Sequence, residues 1–290
     1  MRYNSIFNAR IFADRVAVVT GGGSGIGRCT AHELSALGAN VALVGRTQEK
    51  LIAVQQEIVV AGGNASIHLC DIRDEDQVRT TVETILASHG RIDHLVNNAG
   101  GQFSAPLEKI SAKGWEAVVR NNLTGGFLFA RECYTQWMKQ RQGQGDHAIV
   151  NIIADMWHGM PGMGHSGAAR AGMLNFTETA ALEWAPIRVN AVAPGWIASS
   201  GMDNYPPEMA PLIKRLADYT PARRLGTESE VSAAIVFLLS PAATFISGAC
   251  LRIDGAAPSA KRVWPEVGSG VSPPVFDGFH LATTPRVLTN

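Results

Sequence analysis

Ser166 and Arg170 stand four residues apart in a run of small residues with helical period, Ser166-Gly-Ala-Ala-Arg170. Four residues is close to one helical turn, so the hydroxyl and the guanidinium share a face. A neutral donor beside a fixed cation suits an oxygen that gains negative charge during a reaction. Ser166 also stands just before the helical run, where a serine commonly caps the helix. Its neighbour His165 is a candidate proton relay or, more often for such a histidine, a satisfied structural residue. Asp155 and His158 fall in a loop after an apolar run and are candidate acids or simply solvated groups. No carboxylate or cysteine joins His158 and His165 at ligand spacing, so no metal set is expected.

A second constellation is Thr20-Gly-Gly-Gly-Ser-Gly-Ile-Gly27, which follows an apolar run and opens a helical one. Gly21, Gly25 and Gly27 permit a tight turn, and Ser24 and Ile26 complete it. Such a turn lets a pyrophosphate approach backbone N–H groups at a helix N-terminus. The spacing is Gly-x-x-x-Gly-x-Gly, and its strand-before, helix-after context points to a dinucleotide. The next apolar run ends Gly45-Arg46, where an acidic residue would select NAD. A guanidinium there suits a 2′-phosphate, so NADP(H) is favoured over NAD(H). Asp71 follows the third run and is placed to accept from an adenine amino group or to cap the next turn.

These residues need elements to hold them. Short apolar runs at 16–20, 40–44, 65–70, 92–96, 148–153, 187–192 and 249–253 read as strands. Segments of helical period lie between them, at 29–37, 48–60, 75–87, 111–140, 167–184 and 228–239. That alternation predicts an α/β fold, a parallel sheet covered by helices on both faces. Residues 1–255 read as one domain. The Pro-rich excursion from Ala198 to Pro221 reads as a lid. Residues 256–290, with Pro258, Pro265 and Trp264, read as an extended arm packing on the domain or on a neighbouring subunit.

Composition narrows the field further. Lys plus Arg and Asp plus Glu number 25 each in 290 residues, which leaves no field favouring nucleic acid or an anionic membrane. No apolar run reaches the length of a membrane span. Four scattered cysteines fit buried thiols in a reducing compartment. The start lacks the order of a signal peptide and the end, Val287-Leu-Thr-Asn290, is no peroxisomal signal, so a cytoplasmic setting is expected.

Thr20–Gly27, Asp71-Ile72, Asn97-Asn98-Ala99-Gly100, Asn121-Asn122-Leu123-Thr124-Gly125, Pro194-Gly195 and Ser247-Gly248 together resemble the short-chain dehydrogenase/reductase family. The likeness extends nearly through Gly255. It implies a single-domain Rossmann fold, doubly wound around a seven-stranded parallel sheet, and a dimer or tetramer. By matching positions, it places Asp71, Ile72, Asn98, Ala99 and Gly100 along the adenosine side of the cofactor. Pro194, Gly195 and Ile197 would frame the nicotinamide carboxamide. Asn122 would sit where the family's helix-bending asparagine orders a proton-relay water.

The catalytic pattern departs from that family. Its serine column holds Ile153 or Ala154, and its Tyr-x-x-x-Lys reads Ser166-Gly-Ala-Ala-Arg170. Carbonyl reduction leaves an alkoxide that needs a proton during the step. A serine hydroxyl is a far weaker acid than a tuned tyrosine, and an arginine keeps its proton. A conjugated enoyl thioester needs less, because its charge moves to an oxygen that donors can hold. Asn97–Phe103, Ser111–Trp115, Asn151–Ile153 and His165–Gly172 resemble the peroxisomal trans-2-enoyl-CoA reductase group, related to the 2,4-dienoyl-CoA reductases. In the animal enzymes a tyrosine stands where this chain has Leu174. The resemblance implies NADPH-dependent reduction of a trans-2-enoyl-CoA, with Ser166, Arg170 and Asn122 catalytic and Arg170 also on the nicotinamide ribose. Met156, Trp157, Met160 and Met163 suit an apolar wall for an acyl chain. Two alternatives stay open: a dehydrogenase of hydrophobic alcohols such as acyclic terpene alcohols, and a cofactor-binding protein without turnover.

Overall fold

Seven runs become parallel strands, and the five central ones read as continuous apolar runs because they are buried on both faces and need no polar alternation. The computed structural model describes residues 2–257 and 271–289. Its strands are β1 (Val16–Thr20), β2 (Asn40–Gly45), β3 (Asn64–Leu69), β4 (His94–Asn97), β5 (Ala148–Ile152), β6 (Arg188–Pro194) and β7 (Cys250–Ile253). They form one sheet in the order β3-β2-β1-β4-β5-β6-β7, every neighbouring pair parallel. The order reverses between β1 and β4, and the crevice at the carboxyl ends of such strands is where an open α/β sheet binds ligands.

The helices are α1 (Gly25–Ala36), α2 (Gln48–Val60), α3 (Glu75–His89), α4 (Ala112–Val119), α5 (Gly125–Gln136), α6 (Gly164–Glu183), α7 (Ala210–Lys214), α8 (Glu228–Leu239) and α9 (Arg286–Thr289). On one face Leu34, Leu51, Val54, Val231 and Ile235 of α1, α2 and α8 pack on Val19, Val41 and Val192. On the other, Val78, Val82, Phe129 and Ala180 of α3, α5 and α6 pack on Val18, Leu95 and Ile149. The doubly wound, seven-stranded expectation is met.

Two boundaries differ from the sequence reading, and both move functional residues. The single helix expected over 111–140 is α4 and α5 joined by a wide π turn at Arg120–Thr124. There Asn122 donates from Nδ2 to the Val118 carbonyl (3.1 Å), a side chain competing for a helical acceptor. The sixth helix starts at Gly164, three residues before the expected Gly167, so Ser166 lies inside its first turn. Ser166 is therefore not the helix cap. Instead its backbone N–H donates to His165 Nδ1 (2.8 Å).

The excursion after β6 folds as short helical turns around α7, with Met202, Ile213 and Leu216 buried together. Val287 and Leu288 of α9 pack on that cluster, and the Val287 N–H donates to Asp203 Oδ1 (3.3 Å). Upstream, Phe279 is buried against Tyr3 and Cys29, and its N–H donates to Ser229 Oγ (3.1 Å). Pro258, Pro265 and Trp264 lie outside the described residues.

Candidate active site

The turn after β1 shows why glycine is needed. Gly21 and Gly25 take φ of +66° and +57°, backbone open to glycine at no steric cost. A Cβ on Gly27 would stand 2.4 Å from both Asn98 Nδ2 and the Gly21 carbonyl, leaving no room for any side chain. Ser24 precedes α1 in extended conformation and makes no side-chain cap, so the first-turn N–H groups stay unclaimed. Asn98 braces the turn by donating from Nδ2 to the Thr20 carbonyl (2.9 Å), and Thr20 Oγ1 accepts from the Asn98 and Ala99 N–H groups (3.0 Å each). Unclaimed amides beside close-packed glycine fit a dinucleotide pyrophosphate.

The remaining cofactor candidates line the same edge. Ile72 is buried, and its side chain leaves no space for a Cβ on Gly125. Asp71 is pinned by Arg73 through Nε and Nη2 (2.8 and 2.5 Å), which holds its carboxyl down to about 2. Its acceptor capacity toward an adenine is thus shared with a neighbour two residues on. Arg46 is exposed at the end of β2. Pro194 ends β6, Gly195 abuts the Asp254 backbone, and Ile197 bridges to Gly226.

A ladder of buried amides sets α6 against the sheet. Asn97 on β4 donates to Asn151 Oδ1 on β5 (2.9 Å), and Asn151 donates to Thr177 Oγ1 on α6 (2.9 Å). Above it Ser166, Arg170, Asn122 and Gly100 converge. A Cβ on Gly100 would stand 2.7 Å from both Arg170 Nη2 and Asn122 Oδ1. Asn122 spends its amide on Gly101, accepting from its N–H (3.0 Å) and donating to its carbonyl (2.7 Å). Ser166 is fully buried and donates from Oγ to Gln102 Oε1 (3.0 Å).

Two buried arginines differ in a way that matters. Arg188 pairs with Asp146 (3.0 Å) and donates to the carbonyls of Leu238, Leu239 and Ala243, a structural clamp. Arg170 is 9% exposed and donates from Nη1 to the Ile152 carbonyl (2.5 Å). Among the described residues no carboxylate pairs with it, and its buried Nε has no partner. Burial lowers its pKa from 12.5 to about 10, so it stays a cation at neutral pH. A buried, uncompensated cation is costly unless a ligand completes it.

The candidate acids separate as well. His165 is buried edge-on against Phe103, and its Nδ1 accepts, which leaves the ring proton on Nε2 without a partner among the described residues. Asp155 lies three residues beyond the end of β5 and donates its N–H to the Pro194 carbonyl (3.0 Å). Burial, and then Asp254, raise its pKa, and its Oδ1 has no partner. His158 sits at positive φ (69°) in the loop beyond. Sequence reading missed Gln102 and Tyr205, because no spacing ties residues so far apart.

Comparison with known proteins gives the same frame. The family model described as Enoyl-(Acyl carrier protein) reductase matches residues 21–256. The Bacillus subtilis (strain 168) protein named Probable 2,4-dienoyl-CoA reductase is 36% identical over 245 residues, 83% of this chain and 95% of that one. The peroxisomal 2,4-dienoyl-CoA reductase of Mus musculus is 33% identical over 259 residues, 87% of each chain. A solved structure, the citronellol catabolism dehydrogenase (AtuB) of Pseudomonas aeruginosa PAO1, superimposes with a TM-score of 0.78 at 57% identity, covering 88% of this chain and 100% of that one. No helix among the described residues is long and apolar enough to cross a membrane.

Proposed function

The chain belongs to the short-chain dehydrogenase/reductase family of NAD(P)-dependent oxidoreductases, and from that premise we propose that it reduces the conjugated double bond of a trans-2-enoyl-CoA thioester with NADPH. The observation that carries this reading is Arg170, a buried cation without a carboxylate, one turn from the buried hydroxyl of Ser166. When bound, the reduced nicotinamide supplies a hydride to the β-carbon, which moves negative charge onto the thioester oxygen. Arg170 and Ser166 hold that oxygen, and Asn122 keeps the Gly100–Gly101 backbone against them. Water or a relay supplies the α-carbon proton, and Asp155, whose carboxyl burial shifts upward, is a candidate for that relay. Residues 1–255 carry the site, and the described residues 271–289 beyond them pack on the domain through Phe279, Val287 and Leu288. Dimers or tetramers are the expected assembly.

The test is NADPH oxidation followed at 340 nm with trans-2-enoyl-CoA, 2,4-dienoyl-CoA and citronellal, with the products identified. Turnover of the enoyl thioester to a saturated acyl product is expected. Activity confined to the aldehyde or alcohol overturns the reading. That outcome would favour the second reading, dehydrogenation of a hydrophobic alcohol, which rests on the 57% identity to a citronellol catabolism dehydrogenase. The proton acceptor would then be sought among the loop groups after β5, because the Nδ1 lone pair of His165 is taken by the Ser166 N–H.

The NADPH preference rests on Arg46 at the 2′-phosphate position. Arg46→Ala is expected to weaken NADPH about tenfold or more while leaving NADH unchanged, the loss of one charge-assisted contact. Fluorescence titration of both cofactors checks it.

A further inference from the structure

Gln102 makes a side-chain connection between α6 and the lid. Its Oε1 accepts from Ser166 Oγ (3.0 Å), and its Nε2 donates to the Tyr205 hydroxyl (3.3 Å). Tyr205 belongs to the lid, where its N–H donates to the Met202 carbonyl (3.3 Å) just before Pro206. The backbone beneath Gln102 is fixed on both sides. Gly101 is held at N–H and carbonyl by Asn122, and the Ala105 N–H donates to the Gly162 carbonyl (2.8 Å). Gln102 is thus an exposed side chain on an anchored perch, free to turn only about its own bonds.

A serine hydroxyl has one proton to give. While Gln102 Oε1 accepts it, the same proton cannot reach a substrate oxygen. With its oxygen turned to Ser166, the amide presents its nitrogen on the other side, and there the Tyr205 hydroxyl accepts from it and favours that orientation. We infer that Gln102 is a positioning residue that couples the lid to Ser166, with Tyr205 fixing the amide so that the Ser166 hydroxyl is held for exchange onto the substrate oxygen. When the Ser166 hydroxyl turns its hydrogen bond to the substrate oxygen, keeping its proton, the freed amide can turn and accept from Tyr205, so substrate engagement and lid position become one event. The effect on turnover rests on the proposed role of Ser166; the mechanical tie of the lid does not.

Two measurements separate these. The variants Gln102→Ala, Tyr205→Phe and the double variant are assayed with NADPH and trans-2-enoyl-CoA, each also in a Ser166→Ala background. Each single variant is expected to lower kcat about tenfold with NADPH affinity unchanged, roughly one hydrogen bond. The double variant should be no worse than Gln102→Ala, because both act through one amide. In the Ser166→Ala background neither should lower turnover further. Additive losses, or losses that persist without Ser166, overturn the coupling. Trypsin cleavage at Lys214 and Arg215 reads the lid without turnover. Gln102→Ala and Tyr205→Phe are expected to speed it equally, and unchanged cleavage in both overturns the tie. If Ser166→Ala keeps full turnover, the proposed role of Ser166 fails, while the trypsin result still decides the lid.

Discussion

Arg170→Met removes at least 99% of reductase turnover while leaving the melting temperature unchanged or higher. The first half follows from the site. Removing one preorganised donor from a developing oxyanion costs about 100- to 1000-fold in rate. The second half follows from burial. The fall of the Arg170 pKa from 12.5 to about 10 corresponds to about 3 kcal/mol by which the folded state disfavours the cation. A methionine of similar reach avoids that cost but strands the Ile152 carbonyl, a loss of about 1–3 kcal/mol. The two nearly cancel, and the balance tips toward stability. Arg188→Met is the control of opposite sign, because it leaves Asp146 and several carbonyls without their donor. Breaking a buried pair costs about 3–5 kcal/mol, so that variant should melt well below the parent. Thermal melts and kcat/KM on the same preparations decide the matter. An Arg170→Met protein that melts lower and still turns over would make Arg170 a structural residue.

That contrast marks where the sequence stops informing. Arg170 and Arg188 look alike in the chain, each among small or apolar neighbours. Only packing assigns Asp146 to one and nothing to the other. The strands were legible because burial on both faces writes them as continuous apolar runs. Both ends of α2 and α8 were legible too, and α8 carries a capping box at Thr227 and Glu230. The start of α6 was not, since its first turn is steadied by a histidine accepting from the next residue, a signal no capping rule contains. The π turn at Asn122 was hidden for a related reason, as a wide turn leaves the helical period almost intact. Glycines that frame the cofactor edge were readable from spacing. The pairing of Asp71 with Arg73 follows no helical or capping spacing, although the two stand only two residues apart.

Glu228 is a buried carboxyl that no sequence motif singles out, and its expected pH effect is large. It opens α8, is 9% exposed, and its Oε1 lies 3.8 Å from where a Cβ on Gly25 would stand. Burial pushes its pKa from 4.5 up to about 7, offset in part by Arg28. The other titratable group it faces on α1 is Cys29, whose thiol burial, with the Glu228 charge, also raises. In the unfolded chain the carboxyl releases its proton near 4.5, whereas the folded protein keeps it to about 7. Its stabilising contribution is therefore full below 4.5, declines as pH rises, and is gone above about 7. The total swing is about 3 kcal/mol. Glu228→Gln has no proton to lose, so its Tm should match the parent near pH 4, exceed it increasingly up to about pH 7 and keep that margin at pH 8. The same carboxylate stands beside the first-turn amides of α1, where a pyrophosphate would bring negative charge. NADPH affinity of the parent should accordingly weaken between pH 6 and pH 8, and that of Glu228→Gln should weaken less. Melts across pH and fluorescence titrations measure the two independently. Parallel pH curves for parent and variant would mean that Glu228 is already ionised and paired when the protein folds.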